Sequence, residues 1–269
     1  MTTPIGICIA GARGRMGQRV MECAAADPAF AIAAAIDLPE AEGAVHIAGR
    51  ESGNEAEVTI SDDAGEGMEA ADVLIDFSAA AGCVANVRAA AERKKPVVLA
   101  TTGLSDAQEQ EVKALARESA IVYASNTSIG VNLLFKLTRE VAALLGPEFN
   151  IEIVELHHNQ KADSPSGTAV TLGKRAAEGR GWDYGETVQH GREGIVGKRP
   201  EAEIGMHAVR GGDIPGEHTV YFAGPGERIE LTHRALTRDI FARGALRAAS
   251  FAVGAKPGLY DMQDVLGLK

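Results

Sequence analysis

The amino-terminal segment combines a strand, a glycine-rich turn, a helix and a second strand that ends at an acidic residue. Ile5–Ala10 is a continuous apolar run, which predicts a parallel strand covered on both faces. The turn Gly11–Gly17 follows, with a helical pattern from about Met16 to Ala26. The next apolar run, Phe30–Ile36, ends at Asp37. This order is typical of a dinucleotide-binding unit and predicts an open α/β sheet.

The glycines have the spacing G-x-x-G-x-x-G rather than the common G-x-G-x-x-G. They would let the backbone turn tightly and approach a pyrophosphate at the start of the helix. A tight strand-to-helix turn without a ligand is the alternative. The carboxylate of Asp37 would accept hydrogen bonds from an adenosine ribose, which favours NADH, and it would repel a 2′-phosphate unless cations compensate. Two roles are open for Arg13 and Arg15: compensation of a 2′-phosphate, or contact with the pyrophosphate.

Apolar runs and helical patterns continue to alternate in the first half of the chain. Strands are predicted at Asp72–Ser78, Pro96–Ala100 and Ala120–Ala124, with helices at Ala80–Arg93 and from Ser105 to Glu118. For Pro39–Gly67 we predict loops and one irregular strand, Glu57–Ile60. The alternation predicts a Rossmann-like, doubly wound parallel sheet with its ligands beyond the carboxyl ends of the strands.

The pattern changes after a predicted helix that begins at Ile129. Strand-like runs at Asn150–Leu156, Ile204–Arg210, His218–Phe222 and Arg228–His233 are separated by glycine-rich turns. They predict a second α+β domain with an open mixed or antiparallel sheet. We expect residues 1–128 and 238–269 to form a dinucleotide-binding domain, and residues 129–237 a domain for substrate binding and oligomerisation. The edges of a small open sheet need cover, which predicts a homo-oligomer.

Composition excludes several classes of partner. The net charge of −10 argues against binding to nucleic acid or to an anionic membrane through a general basic field. An odd number of cysteines, Cys8, Cys23 and Cys83, argues against a disulfide framework and for a reducing compartment. No apolar run reaches transmembrane length, so we expect a cytoplasmic protein.

The loop Glu155–Thr168 concentrates reactive groups. It holds two imidazoles, His157 and His158, the ammonium of Lys161, several hydroxyls and a Gly-Thr step. A polar surface loop with a helix cap is the alternative, since serine and threonine are good N-cap residues. Paired histidines could also bind zinc, but metal-ligand spacing is missing, and we predict no metal. Adjacent residues in a strand point to opposite faces, so His157 and His158 should have different roles.

Together, Gly11–Gly17 and the run His-His-x-x-Lys-x-Asp-x-Pro-Ser-Gly-Thr resemble one family. It is the 4-hydroxy-tetrahydrodipicolinate reductase (dihydrodipicolinate reductase) family, NAD(P)H-dependent enzymes of the diaminopimelate route to lysine. The resemblance extends from Ile5 to the ending Gly258–Leu266. It implies reduction of a cyclic dicarboxylate by NADH or NADPH with loss of water, in a homotetramer.

The resemblance also implies roles for individual residues. His157 would be the proton donor and acceptor, and Lys161 a proton donor. Cofactor contacts would come from Gly11, Ala12, Arg13, Gly14, Arg15, Met16, Asp37, Ala100, Thr101, Thr102, Ala124, Ser125, Asn126 and Thr127. Substrate contacts would come from His158, Gly167, Thr168 and Arg238.

Two positions depart from the family pattern. Ala100 stands where members often have glycine, which would tighten the nicotinamide pocket. Leu38 stands where some members have a basic residue, which favours NADH. Two alternative functions remain at this stage. One is another two-domain nicotinamide-dependent dehydrogenase, and the other is a non-enzymatic redox sensor that binds NAD(H).

Overall fold

The computed structural model describes residues 3–41, 43–48 and 55–269. The chain divides into two compact units. We call them the first unit, Met1–Ile129 with Arg238–Lys269, and the second unit, Gly130–Thr237. Within the described residues, no helix has both the length and the apolar character needed to cross a membrane.

The helices and strands alternate along most of the chain. In chain order the strands are β1 (Ile5–Ala10), β2 (Phe30–Ile36), β3 (Gly43–Ala48), β4 (Glu55–Ser61), β5 (Val73–Asp76), β6 (Val97–Leu99), β7 (Ala120–Tyr123), β8 (Asn150–His157), β9 (Val188–His190), β10 (Ile204–Arg210), β11 (Glu217–Gly224), β12 (Glu227–Arg234) and β13 (Gly258–Tyr260). The helices are α1 (Arg15–Ala25), α2 (Ala64–Ala70), α3 (Ala80–Glu92), α4 (Asp106–Leu115), α5 (Ile129–Leu144), α6 (Gly167–Arg180), α7 (Tyr184–Thr187), α8 (Asp239–Gly254) and α9 (Met262–Val265), and Pro39–Ala41 form a 3₁₀ turn.

The first unit contains an eight-stranded sheet with the order β13-β7-β6-β5-β1-β2-β4-β3. All neighbouring strands are parallel except the edge pair β3 and β4. The prediction of a doubly wound parallel sheet is therefore confirmed. Strand β1 lies between β5 and β2, so the chain order reverses there, and ligands of such sheets bind at this crevice.

Two hydrophobic cores explain why β1 is apolar throughout. Ile7 and Ile9 pack into the core that contains α1 and α8, whereas Cys8 and Ala10 pack into the core that contains α2, α3 and α4. All four side chains have zero exposure. A strand with helices on both faces cannot alternate apolar and polar residues, because both of its faces are buried.

Helix α2 is a departure from the sequence prediction of loops and one irregular strand for Pro39–Gly67. Asp63 caps this helix by accepting hydrogen bonds from the N–H groups of Gly65 and Glu66. Glycine lowers helix propensity, so the sequence pattern of α2 did not indicate a helix. Gly67 packs closely on β1, because a Cβ there would lie 3.2 Å from Cys8 Sγ. Residues 42 and 49–54 of this stretch lie outside the described residues.

The sequence prediction also missed strand β13, which extends the sheet by pairing in parallel with β7. Gly258 pairs with Ala120 and Tyr260 with Val122. A strand of three residues is too short to show a period, so the carboxyl-terminal segment could not be placed in the sheet from its sequence.

The second unit contains a five-stranded mixed sheet with the order β12-β11-β8-β10-β9. Strand β8 is antiparallel to β11 and parallel to β10. Ile151 and Ile153 on β8 join the core formed with α5 and α6. Alternate residues of β8 are buried, as expected for a sheet with helices on one face.

We expect Gly244→Ala to destabilise the first unit. An added Cβ in α8 would lie 1.8 Å from the carbonyl oxygen of Thr127, and such overpacking costs about 2 kcal/mol. Thermal unfolding should show a midpoint lowered by about 5 °C.

Gly254→Ala, on the same helix, is the matched control because a Cβ there meets nothing within 4 Å. Alanine is the better helix former, so this variant should be as stable as the parent chain or slightly more so. Equal midpoints for the two variants would contradict the close packing of α8 on Thr127.

Candidate active site

The glycine turn after β1 has a geometry that requires glycine. Gly11 has φ +76°, and an added Cβ would lie 2.7 Å from the carbonyl oxygen of Phe77. The N–H groups of Gly11 and Ala12 both donate to the carbonyl oxygen of Ile36 at the end of β2. Gly14 is the N-cap of α1, and no described side chain caps that helix. The first turn of α1 can therefore present its N–H groups to an anion.

The carboxylate of Asp37 is held by two backbone groups. Its Oδ2 accepts a hydrogen bond from the N–H of Arg13 at 2.7 Å, and its Oδ1 accepts one from the N–H of Leu38 at 2.8 Å. Asp37 is half-buried, whereas the side chain of Leu38 is 69% exposed. The glycine turn and the acid at the end of β2 are thus joined directly.

A cavity of about 460 Å³ lies at the carboxyl ends of the strands of the first unit. It is lined by the predicted cofactor residues Gly14, Arg15, Met16, Ala100, Thr101, Thr102, Ala124, Ser125, Asn126 and Thr127, together with Phe77, Ser78, Arg238 and Phe241. Gly11, Ala12, Arg13 and Asp37 are outside this lining. Arg238, which was predicted to bind substrate, lies in the first unit with the cofactor residues.

Sequence reasoning gave no role to Asp76, which organises one wall of this cavity. Its side chain has zero exposure. Oδ1 accepts hydrogen bonds from the N–H and hydroxyl of Ser78 and from the hydroxyl of Thr101, and Oδ2 accepts one from the amide of Asn86. An aspartate that ends an otherwise apolar strand was the available signal.

In the second unit, Glu155 and His157 lie two residues apart on the buried face of β8. The Glu155 side chain has zero exposure, and its Oε2 lies 2.5 Å from His157 Nδ1. Arg210 donates one hydrogen bond to each oxygen of Glu155, both at 2.8 Å, and the N–H of Ser166 donates another to Oε1. Sequence reasoning gave no role to Glu155 or Arg210.

These contacts fix the charge of Glu155 and the orientation of His157. Burial raises the pKa of Glu155, but hydrogen bonds from His157, Arg210 and Ser166 outweigh it and lower the pKa to about 2. An ionised carboxylate can only accept, so His157 Nδ1 carries a proton and donates it. His157 Nε2 is then the ring nitrogen that can exchange a proton.

His218 lies beside His157, although the sequence gave it no role beyond that of a polar strand residue. The two rings meet edge to face, with centroids 5.1 Å apart. Burial, followed by the field of His157, lowers the pKa of His218 to about 3, so this imidazole is neutral. Its Nε2 is hydrogen-bonded to the hydroxyl of Ser166 at 2.9 Å, and Ser166 Oγ accepts from the N–H of Ala169 to cap α6.

The remaining loop residues have separate partners. Lys161 Nζ donates to both oxygens of Asp163 at 2.8 Å, and this ion pair lowers the pKa of Asp163. His158 Nδ1 accepts from the N–H of Gln160, so the two adjacent histidines differ in their contacts as expected. Gly167 and Thr168 begin α6 behind the Ser166 cap.

Comparison with known proteins identifies the family. One family model, described as "Dihydrodipicolinate reductase, N-terminus", matches residues 5–127, and a second, "Dihydrodipicolinate reductase, C-terminus", matches residues 130–266. The chain belongs to the dihydrodipicolinate reductase family.

Two relatives named 4-hydroxy-tetrahydrodipicolinate reductase are similar over their full length. The one from Geobacter sulfurreducens is 51% identical over 268 residues, which is 99% of this chain and 100% of the relative. The one from Geotalea daltonii is 49% identical over 266 residues, which is 98% of this chain and 100% of the relative. Neither of the two alternative functions is favoured by these names.

Two solved structures support the fold. A dipicolinate-bound dihydrodipicolinate reductase from Paenisporosarcina sp. TG-14 has a TM-score of 0.77 at 24% identity, covering 97% of this chain and 98% of that chain. GenD2 from gentamicin A biosynthesis, in complex with NAD, has a TM-score of 0.58 at 15% identity, covering 100% and 92%. The family uses a nicotinamide dinucleotide, and the turn at Gly11 with the neighbouring cavity fits such a cofactor.

We expect Glu155→Gln to lower the stability of the second unit in a pH-dependent way. The folded-state pKa of about 2 lies below the ordinary 4.5, so the ionised carboxylate stabilises the fold above pH 4.5. This stabilisation, roughly 3 kcal/mol, is lost as the pH falls from about 5 to 2. Denaturant unfolding at pH 7 and pH 3 should show a large difference between parent and variant at pH 7 and a much smaller one at pH 3.

Glu227→Gln removes an exposed carboxylate from β12 of the same unit and serves as the control. Its stability should follow that of the parent chain at both pH values. A Glu155→Gln difference that stays constant with pH would contradict the ionised pair.

Proposed function

We propose that this chain reduces 4-hydroxy-tetrahydrodipicolinate to tetrahydrodipicolinate, with loss of water, in the diaminopimelate route to lysine. The observation that carries the proposal is the pair Glu155–His157 at the start of the His-His-x-x-Lys loop. It gives the motif that the chain shares with its family one imidazole of fixed orientation. The identity of 51% to a full-length relative of that name supports the substrate.

The bound nicotinamide would supply the hydride, and the residues of the second unit would handle the proton and the carboxylates. His157 can deliver a proton from Nε2, because Nδ1 is engaged by Glu155. Lys161 would donate a proton and stabilise negative charge on the ring, once its ammonium is drawn from the exposed carboxylate of Asp163. His158 and the start of α6 at Gly167 and Thr168 would bind the substrate carboxylates.

The proposed division of labour follows the two units. Residues 1–128 and 238–269 would bind the dinucleotide, and residues 129–237 would bind substrate and form the oligomer. Arg238 would then contribute to substrate binding from the cofactor cavity that it lines.

We further propose a cytoplasmic homotetramer. The thiols of Cys8, Cys23 and Cys83 are free, which suits a reducing compartment. In the second unit, Val209 is 45% exposed on β10, and Val154 and Tyr221 on neighbouring strands are half-exposed. Partner subunits would cover this face of the sheet.

The decisive test is oxidation of NADH by the purified chain with freshly generated 4-hydroxy-tetrahydrodipicolinate. We expect the parent chain to consume NADH, and His157→Gln and Lys161→Ala each to lower kcat about 100-fold or more, because each removes a proton-transfer group. Both variants should keep the parent Kd for NADH. No NADH consumption by the parent chain would overturn the proposed function.

His190→Gln and Lys174→Ala are matched controls. They remove an exposed imidazole and an exposed ammonium from β9 and α6 of the same unit. Their kcat should stay within about twofold of the parent value, because neither side chain is in the proposed site. Full activity in His157→Gln or in Lys161→Ala would remove that residue from the mechanism.

We propose a preference for NADH over NADPH, because Asp37 is fixed beside the glycine turn and Leu38 supplies no cation. We expect Asp37→Ala to weaken NADH binding about tenfold, through loss of hydrogen bonds to the ribose, and to leave NADPH binding similar or tighter. Fluorescence titration with both cofactors measures the two Kd values.

Leu38→Arg is the complementary variant. The side chain is exposed, so a guanidinium can be added there without repacking, and it should tighten NADPH binding more than NADH binding. If the Kd values for NADH and NADPH change by the same factor in each variant, Asp37 and residue 38 do not discriminate between the 2′-hydroxyl and the 2′-phosphate.

A further inference from the structure

The buried carboxylate of Asp76 has no part in the proton transfers proposed above. It ends β5 beside β1, where the strand order of the sheet reverses. Its hydrogen-bond donors come from three segments: Ser78 in the turn after β5, Asn86 in α3 and Thr101 after β6. A buried carboxylate with this many donors is held in one position.

None of these donors is charged. Glu155 in the second unit is ion-paired with Arg210, whereas no cationic side chain among the described residues pairs with Asp76. Negative charge on this carboxylate has no described cation beside it, and such a charge acts over a distance in a region of low dielectric. Burial first, and the field of Asp76 second, raise the pKa of Cys8 to about 12 and that of Cys83 to about 11.

The carboxylate lies one hydrogen bond behind the wall of the cofactor cavity. Ser78 and Thr101, which donate to Oδ1 at 2.8 and 2.7 Å through their hydroxyls, both line that cavity. The backbone of Asp76 also contacts the cavity wall, because its carbonyl oxygen accepts a hydrogen bond from the N–H of Ala100. The family resemblance implies that the cavity residues on the nicotinamide side are Ala100, Thr101 and Thr102, together with Ala124, Ser125, Asn126 and Thr127.

We propose that the carboxylate of Asp76, which accepts hydrogen bonds on both oxygens, favours the oxidised nicotinamide over the reduced one in this cavity. The inference rests on the proposed function, in which NADH gives a hydride, one proton with two electrons, to a ring carbon of the substrate. The nicotinamide ring thereby changes from neutral to singly positive. A fixed negative charge behind the cavity wall stabilises the positive form and so strengthens the reduced form as a hydride donor.

Asp76→Asn separates the charge from the shape of the site. The amide oxygen can keep the hydrogen bonds from Ser78 and Thr101. The amide N–H group faces Asn86, whose own amide can turn by 180° to present its oxygen. The variant thus retains the contacts and loses only the charge.

The readout is the ratio of two dissociation constants, Kd for NAD⁺ divided by Kd for NADH, measured by calorimetric titration without substrate. We expect Asp76→Asn to raise this ratio about tenfold, mainly by weakening NAD⁺, which is about 30 mV for a two-electron couple. A residue that only shapes the pocket would weaken both cofactors by the same factor.

Asp72→Asn is the matched control. Asp72 directly precedes the same strand at its opposite end, where it is exposed and accepts a hydrogen bond from the N–H of Gly6. Its removal changes the net charge by the same amount and should leave the ratio unchanged. An unchanged ratio in Asp76→Asn, or a similar rise in both variants, overturns the inference.

The exchange variant Asp76→Asn with Asn86→Asp covers the case in which the single variant unfolds. It returns one carboxylate to the same hydrogen-bonded pair, so the ratio should stay close to the parent value. A ratio raised tenfold in the exchange variant would contradict the role of the charge. If the parent chain binds neither dinucleotide, the proposed function fails; if it binds and turns over but the ratio does not respond, only the inference fails.

Discussion

The reactive loop of the second unit depends on one buried carboxylate. Glu155 has no contact with solvent, and its two oxygens are occupied by Arg210, His157 and the N–H of Ser166. A buried charge is stable only when it is paired and hydrogen-bonded, so these partners cannot leave singly without a large cost in free energy. The same contacts hold the imidazole of His157 and the start of α6 in place. The orientation of His157, the proposed acid, thus follows from the hydrogen bonds that the buried carboxylate of Glu155 requires.

The carboxylates of Asp76 and Glu155, both with zero exposure, act in different ways because their partners differ. Arg210 cancels most of the charge of Glu155, which leaves hydrogen bonding and orientation as its main effect on His157. Asp76 has only neutral donors such as Ser78 and Asn86, so its field remains. Both carboxylates are buried, and the presence or absence of a guanidinium distinguishes them. With Arg210 beside it, Glu155 positions a neighbour; without a guanidinium, Asp76 polarises a cavity.

Local pattern was sufficient for most of the first unit. The apolar run of β1 and the glycine turn predicted the parallel sheet, because two-sided burial and a tight turn leave strong marks in the sequence. Helix α2 was missed because Gly65 and Gly67 lower its helix propensity, whereas the close packing of Gly67 on Cys8 is visible only in the structure. Strand β13 was missed because three residues carry no period. These errors occur where tertiary packing overrides local preference.

The site in the second unit shows a different limit. The period of two along β8 places Glu155 and His157 on one face, so their pairing was within reach of sequence reasoning. Arg210 and His218 were not, because they arrive through strand register: Arg210 lies opposite His157 on β10, and His218 lies opposite Glu155 on β11. A slip of one residue would turn each of these side chains to the other face of the sheet. The motif supplies the reactive groups, but the pairing of three strands decides which of them is held.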